Sequence, residues 1–120
     1  MAANPIPLPE LNLETIRTPE ETTVRCTGRI NSSTSAQLHT TVRSLMSETK
    51  SVVLDLTNVS HMDSAGLGVM FGLYVSAKKQ HCALKFINPS QHLQDLFRIT
   101  KLESVFEVHH DFLRYRPDRA

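Results

Sequence analysis

The stretch that decides the fold is Val52-Val53-Leu54-Asp55-Leu56, followed after a short loop by Asp63-Ser64-Ala65-Gly66-Leu67-Gly68. The first run is apolar on both faces, which is typical of a central strand in a covered sheet. The second run opens an amphipathic segment that continues to about Gln80. We therefore predict a buried strand, a loop and a helix, with Ser64 at the entrance to the helix.

The hydroxyl of Ser64 has two candidate roles at this entrance. It can cap the helix by accepting a hydrogen bond from a backbone N–H. It can instead carry a phosphoryl group, because free N–H groups and the positive end of the helix dipole favour an anion there. The residues of the loop alone leave both roles open.

Towards the N-terminus, two alternating runs predict an antiparallel hairpin. They span Leu11 to Arg17 and Thr22 to Thr27, and Gly28 is predicted to end the second strand. A helix then follows the capping residues of 31–34 and runs to about Glu48. Its buried positions show helical spacing, and they are Leu38, Val42, Leu45 and Met46.

Towards the C-terminus, the helix after the loop carries an apolar stripe predicted to be its core face: Leu67, Met70, Phe71, Tyr74 and Val75. A strand over Ala83 to Ile87, a helix from about Gln91 to Thr100 and a short strand near Val105 to Val108 follow. The order β-β-α-β-α-β-α-β predicts a single α/β domain with a mixed, mostly parallel sheet and helices packed on it. We place this domain at 11–113, after an extended segment at 1–10 and before a flexible tail at 114–120.

Composition and charge exclude several function classes. The chain has 120 residues, 40% of them hydrophobic, and a formal net charge of +1, so no bulk field recruits nucleic acid or an anionic membrane. No apolar run is long enough to span a bilayer, no signal peptide is apparent, and we expect a cytoplasmic protein. Cys26 and Cys82 are expected to be buried free thiols. The six histidines are scattered without metal-ligand spacing, so no metal site is predicted.

The loop Asp63-Ser64-Ala65-Gly66-Leu67-Gly68, after the run Val53-Leu54-Asp55-Leu56, resembles the STAS domain family. More narrowly, it is similar to the free-standing bacterial anti-sigma factor antagonists. Gly28-Arg29-Ile30-Asn31 also matches a family pattern after the second strand, except that Asn31 stands where the family often has aspartate. Asn31 is expected to lie close to Ser64, and the loss of charge there puts the phosphorylation rate or the partner preference in doubt.

The resemblance implies a phosphorylation switch at Ser64. The unmodified antagonist binds a partner that is both anti-sigma factor and serine kinase, and thereby releases the sigma factor. The phosphorylated form does not bind, and a metal-dependent serine phosphatase reverses the switch. Asp63 would lie beside the reacting groups of the kinase or help to set the loop. Nucleotide belongs to the kinase, so neither a cofactor nor an enzymatic activity is expected on this chain.

The predicted partner surface combines the loop with part of the following helix: Asn31, Asp63, Ser64, Ala65, Gly66, Leu67, Gly68 and Leu73. Gly66 and Gly68 are interpreted as residues of a tight turn and close helix packing. Within the helix, we expect burial for Phe71 and partner contact for Leu73. Two other functions stay open: a STAS scaffold or transport adaptor without a switch, and an enzyme that uses Ser64 as nucleophile with His61 nearby.

Overall fold

The computed structural model describes residues 10–102, and these form one four-stranded sheet with three helices. The elements in chain order are β1 Leu11–Arg17, β2 Thr22–Ile30, α1 Ser35–Met46, β3 Ser51–Met62, α2 Ser64–Lys79, β4 Ala83–Ile87 and α3 Gln91–Ile99. The sheet order is β1-β2-β3-β4, antiparallel between β1 and β2 and parallel across the other two pairs. The predicted mixed α/β fold is confirmed for these elements. The predicted strand at 105–108 lies outside the described residues.

The core lies where α1 and α2 pack against each other and against the central strands. Val52 to Leu56 are all buried, and β3 lies between β2 and β4, so its predicted central place is confirmed. The four predicted core positions of α1 are also buried. Cys26 and Cys82 are buried free thiols, as expected.

Two strands are longer than the sequence indicated, and both extensions build the same edge of the sheet. β2 does not end at Gly28 but continues to Ile30, because Gly28 adopts φ +121° at an irregularity in the β2–β3 register. A Cβ on Gly28 would lie 2.1 Å from the carbonyl oxygen of Glu10, so the close approach of these two backbones requires glycine. β3 continues past Leu56 to Met62 and pairs with this extension.

No helix of the described residues is long and apolar enough to cross a membrane.

Candidate functional site

The site lies at the carboxyl ends of β2 and β3, where α1 and α2 begin. Ile30 pairs with Met62, and the backbone N–H of Asp63 donates to the carbonyl oxygen of Ile30 at 3.3 Å. Because the two strands are parallel, the next residues, Asn31 and Asp63, leave the sheet at the same edge. Such edges of parallel sheets are common places for binding sites, since loops and helix N-termini meet there.

Asp63, and not Ser64, caps α2. One carboxylate oxygen of Asp63 accepts from the backbone N–H of Ala65 at 2.9 Å and of Gly66 at 3.1 Å. Asp63 has the extended backbone of an N-cap, with φ −111° and ψ −168°. The interpretation of Ser64 as the helix cap is therefore wrong, whereas the expectation that Asp63 sets the loop is confirmed.

Ser64 is the first residue of α2, and it is exposed. Its hydroxyl makes no hydrogen bond with any of residues 10–102. The amides of Ala65 and Gly66 already bind Asp63, so they are not the open anion site that the sequence suggested. A phosphoryl group on Ser64 would project from the surface beside the Asp63 carboxylate.

The cap predicts a modest stability loss when the Asp63 side chain is removed. We expect Asp63→Ala to lower the free energy of unfolding by about 1 kcal/mol, because two amides of the first turn lose their acceptor. Asp63→Asn keeps an acceptor oxygen and is the matched control, with a smaller loss. Urea unfolding of the three proteins measures the effect. Equal stability of Asp63→Ala and wild type would contradict the assignment of the cap.

The two glycines of the loop motif differ in what surrounds them. Gly66 is buried, and a Cβ there would lie 2.5 Å from the carbonyl oxygen of Ile30 and 2.6 Å from Cγ of Met62. Its predicted role in close packing is confirmed. Gly68 is exposed, and a Cβ added there would have no heavy atom within 4 Å, so the packing interpretation is wrong for this residue. Ala65 and Leu67 are partly buried.

Asn31 fixes the turn that leads into α1. Its side-chain oxygen accepts from the backbone N–H of Ser33 at 2.9 Å, and its own N–H donates to the Thr34 hydroxyl at 2.9 Å. Its amide nitrogen donates to the Glu10 carboxylate at 3.1 Å. Because Ile30 pairs with Met62, Asn31 and Asp63 follow paired residues at the same edge of the sheet, and the closeness of Asn31 to Ser64 stays a prediction.

The buried face of α2 is rotated relative to the predicted core stripe: Met70 is buried and Leu67 and Tyr74 pack against the core while partly buried, as expected, but Phe71 is exposed. The buried residues are Gly66, Met70, Leu73 and Ala77. Leu73 is 0% exposed, so it offers no surface to a partner, and Phe71 is 44% exposed although we expected it to be buried. The close contact of Gly66 with the end of β2 sets this rotation. Glycine and alanine contribute little to an apolar pattern, which is why the sequence did not show that face.

Opposite the buried face, α2 presents a surface that residues 10–102 leave uncovered. We call it the α2 surface, and it consists of residues at helical spacing that are exposed or partly exposed: Ser64, Gly68, Phe71, Gly72 and Val75. A Cβ on Gly72, like one on Gly68, meets no heavy atom within 4 Å. Two glycines within a helix each cost about 1 kcal/mol relative to alanine, and the packing described here does not require either. The exposed aromatic ring of Phe71 is the feature that the sequence pattern missed.

The thiols show no sign of an activated nucleophile. Burial, with a smaller contribution from the nearby negative charge of Asp55, raises the pKa of Cys26 to about 12. Burial also raises the pKa of Cys82. Both thiols are therefore protonated at neutral pH and do not provide the thiolate that nucleophilic chemistry needs.

The STAS domain model matches residues 12–113. The chain belongs to the STAS domain family. It is 45% identical over 53 residues to the anti-sigma-B factor antagonist of Bacillus subtilis, a match that covers 44% of this chain and 49% of that protein. In this match the chain spans about half the length of its curated relative. The anti-sigma-B factor antagonist of Staphylococcus epidermidis is 31% identical over 99 residues, covering 82% of this chain and 92% of that protein.

A solved structure shows the same fold. The anti-sigma factor antagonist SpoIIAA in its unphosphorylated form matches with a TM-score of 0.65 and 20% identity, covering 77% of this STAS chain and 81% of SpoIIAA. The predicted fold class and family are thereby confirmed.

Proposed function

We propose that this STAS domain is an anti-sigma factor antagonist whose binding is switched by phosphorylation of Ser64. In its unphosphorylated state it binds an anti-sigma factor serine kinase and so releases the sigma factor. The observation that carries the proposal is that Asp63 caps α2, which leaves the Ser64 hydroxyl exposed at one end of the α2 surface. The names of the Bacillus and Staphylococcus relatives support the same class of function.

The partner surface that we propose differs from the sequence prediction in five residues: it omits the buried Gly66 and Leu73 and adds Phe71, Gly72 and Val75. It comprises the α2 surface together with Asn31, Asp63, Ala65 and the partly buried Leu67. Phe71 replaces Leu73 as the apolar anchor, because Phe71 is exposed and Leu73 is not. Gly68 and Gly72 flank Phe71 on this side of α2, and their open surroundings let a partner approach the helix backbone closely.

Ser64 lies at one end of the α2 surface, and this position gives the switch a simple mechanism. Ser64 is at the first turn of the helix face that also carries Gly68 and Phe71. A phosphate adds about −1.5 to −2 charges at neutral pH. Because Ser64 is exposed, water solvates that charge in the unbound protein, whereas a docked partner would have to exclude the water. The switch therefore needs no rearrangement of the fold.

The remaining partners are proposed from the family resemblance. A metal-dependent serine phosphatase removes the phosphate and restores binding. The nucleotide and the catalytic groups belong to the kinase, so the chain acts as a binding protein and carries out no reaction itself. Because sigma factors and their kinases act on transcription, the protein works in the cytoplasm.

Competitive release of a sigma factor tests the proposal. A set of purified anti-sigma factor serine kinases is loaded with their fluorescently labelled sigma factors and titrated with this chain. We expect one kinase to exchange its sigma factor for the unphosphorylated chain. If the chain binds none of these kinases and elutes from cells in a large assembly, the scaffold or adaptor role is the better account.

Substitutions of Phe71 and Leu73 form a matched pair: the first is expected to lower affinity for the kinase and the second to lower stability. Phe71→Ala removes an exposed anchor, so we expect affinity for the kinase to fall by about tenfold or more, with little change in stability. Leu73→Ala leaves a cavity in the core and is expected to lower the free energy of unfolding by about 2–5 kcal/mol. Calorimetric titration and urea unfolding of both variants separate the two effects. Unchanged affinity of Phe71→Ala would remove the α2 surface from the interface.

A further inference from the structure

Glu10 is held at the edge of the candidate site by its backbone. Its carbonyl oxygen accepts from the N–H of Arg29 at 2.8 Å, and the positive φ of Gly28 allows the two chains to approach this closely. Glu10 immediately precedes β1, and its fixed backbone brings its side chain to the end of β2. A residue distant in sequence from the loop motif thus reaches the edge that carries Ser64.

The carboxylate of Glu10 is oriented by Asn31. The amide nitrogen of Asn31 donates to Glu10, while the amide oxygen accepts from the N–H of Ser33. Only a side chain with both a donor and an acceptor satisfies the two partners, and the amide of asparagine does so. Within residues 10–102, Glu10 forms no ion pair. Among these residues, its negative charge is therefore held by one hydrogen bond from Asn31 and is not neutralised.

We propose that Glu10 is a specificity-determining residue of the partner surface. Its carboxylate, oriented by Asn31, pairs with a cationic side chain of the anti-sigma factor kinase. The inference rests on the function proposed above and adds a partner-selecting charge to it. Charge complementarity across an interface steers encounter and discriminates between partners more than it adds raw affinity. A kinase whose facing residue is acidic or apolar would be rejected.

The Glu10→Gln variant removes the charge and keeps an oxygen that accepts from Asn31. We expect its affinity for the kinase identified by sigma-factor release to fall by about tenfold at low salt, with a smaller difference at high salt, since salt screens exposed charges. Glu20→Gln is the matched control, because it makes the same change in the β1–β2 turn, at the opposite end of these strands. Its affinity should equal that of wild type.

A second pair of variants tests the hydrogen bond between Asn31 and Glu10 in the absence of the kinase. Asn31→Asp places a carboxylate against Glu10, so the midpoint of urea unfolding at pH 7 should shift to lower urea. Adding Glu10→Gln to Asn31→Asp restores a donor and an acceptor, and the midpoint should return towards that of wild type. Failure of this rescue would overturn the Asn31–Glu10 pairing.

The two hypotheses fail in different ways. If wild type binds no anti-sigma factor kinase, the proposed function fails and the inference falls with it. If wild type binds and Glu10→Gln binds equally well at every salt concentration, only the inference is overturned. Weaker and salt-dependent binding of Glu10→Gln, with unchanged stability, supports the role of Glu10 in recognition over a structural one.

Discussion

Phosphorylation of Ser64 is expected to weaken binding to the anti-sigma factor kinase by about a thousandfold, equivalent to about 4 kcal/mol. The phosphate would project beside the carboxylate of Asp63 at the end of the α2 surface. Docking would strip water from this dianion, and two amides of the first turn, those of Ala65 and Gly66, already bind Asp63. Desolvation and like-charge contact of this kind cost several kcal/mol.

Calorimetric titration of the kinase with phosphorylated and unphosphorylated chain measures this change. Ser64→Ala, treated with kinase and ATP, should keep the affinity of unphosphorylated wild type, because Asp63 and not Ser64 caps α2. Ser60→Ala is the matched control: Ser60 is also exposed but precedes the loop, so this variant should still be switched off by the kinase. Equal affinities of the phosphorylated and unphosphorylated chains would contradict the switch.

Gly66→Ala is expected to lower the free energy of unfolding by about 3 kcal/mol. The new methyl group would lie 2.5 Å from the carbonyl oxygen of Ile30 and 2.6 Å from Cγ of Met62. The backbone has little freedom to yield, because that same carbonyl accepts from the N–H of Asp63. The start of α2 would have to move away from β2, which would disturb the cap and the position of Ser64.

Gly68→Ala makes the same chemical change two residues later and should have the opposite effect on stability. Its methyl group meets no heavy atom within 4 Å, and alanine favours the helix over glycine by up to about 1 kcal/mol. We expect Gly68→Ala to be at least as stable as wild type in urea, and to bind the kinase more weakly because the methyl group lies on the α2 surface. A similar loss of stability in both variants would contradict the packing described for Gly66.

The sequence predicted the elements of the fold well where the apolar spacing was regular. The hairpin of β1 and β2, the buried face of α1 and the bounds of β4 follow from residues with strong local preferences. The C-terminal ends of β2 and β3 were not predicted from such local preferences. Gly28 was interpreted as a break, but it lies inside β2, where a contact with Glu10 that is distant in sequence requires it.

The position of Asp63 and Ser64 in the fold was predicted from the sequence, but the contacts of the surrounding side chains were not. The motif located Asp63 and Ser64 at the start of α2, yet a shift of one residue in the helix start decides which side chain is the cap. The exposure of Phe71 and the burial of Leu73 depend on the packing of Gly66 against Ile30, a contact between separate elements. The pairing of Asn31 with Glu10 is likewise a tertiary contact across 21 positions, which no local pattern encodes.

The phosphorylation switch is tested most directly by intact-mass analysis with site mapping, after incubation with ATP and the kinase that releases its sigma factor when it binds this chain. We expect a single added phosphate on Ser64 of wild type and no added phosphate on Ser64→Ala. A phosphate on another residue, or none while binding to the kinase persists, would contradict the phosphorylation switch and favour a scaffold or adaptor role for this STAS domain.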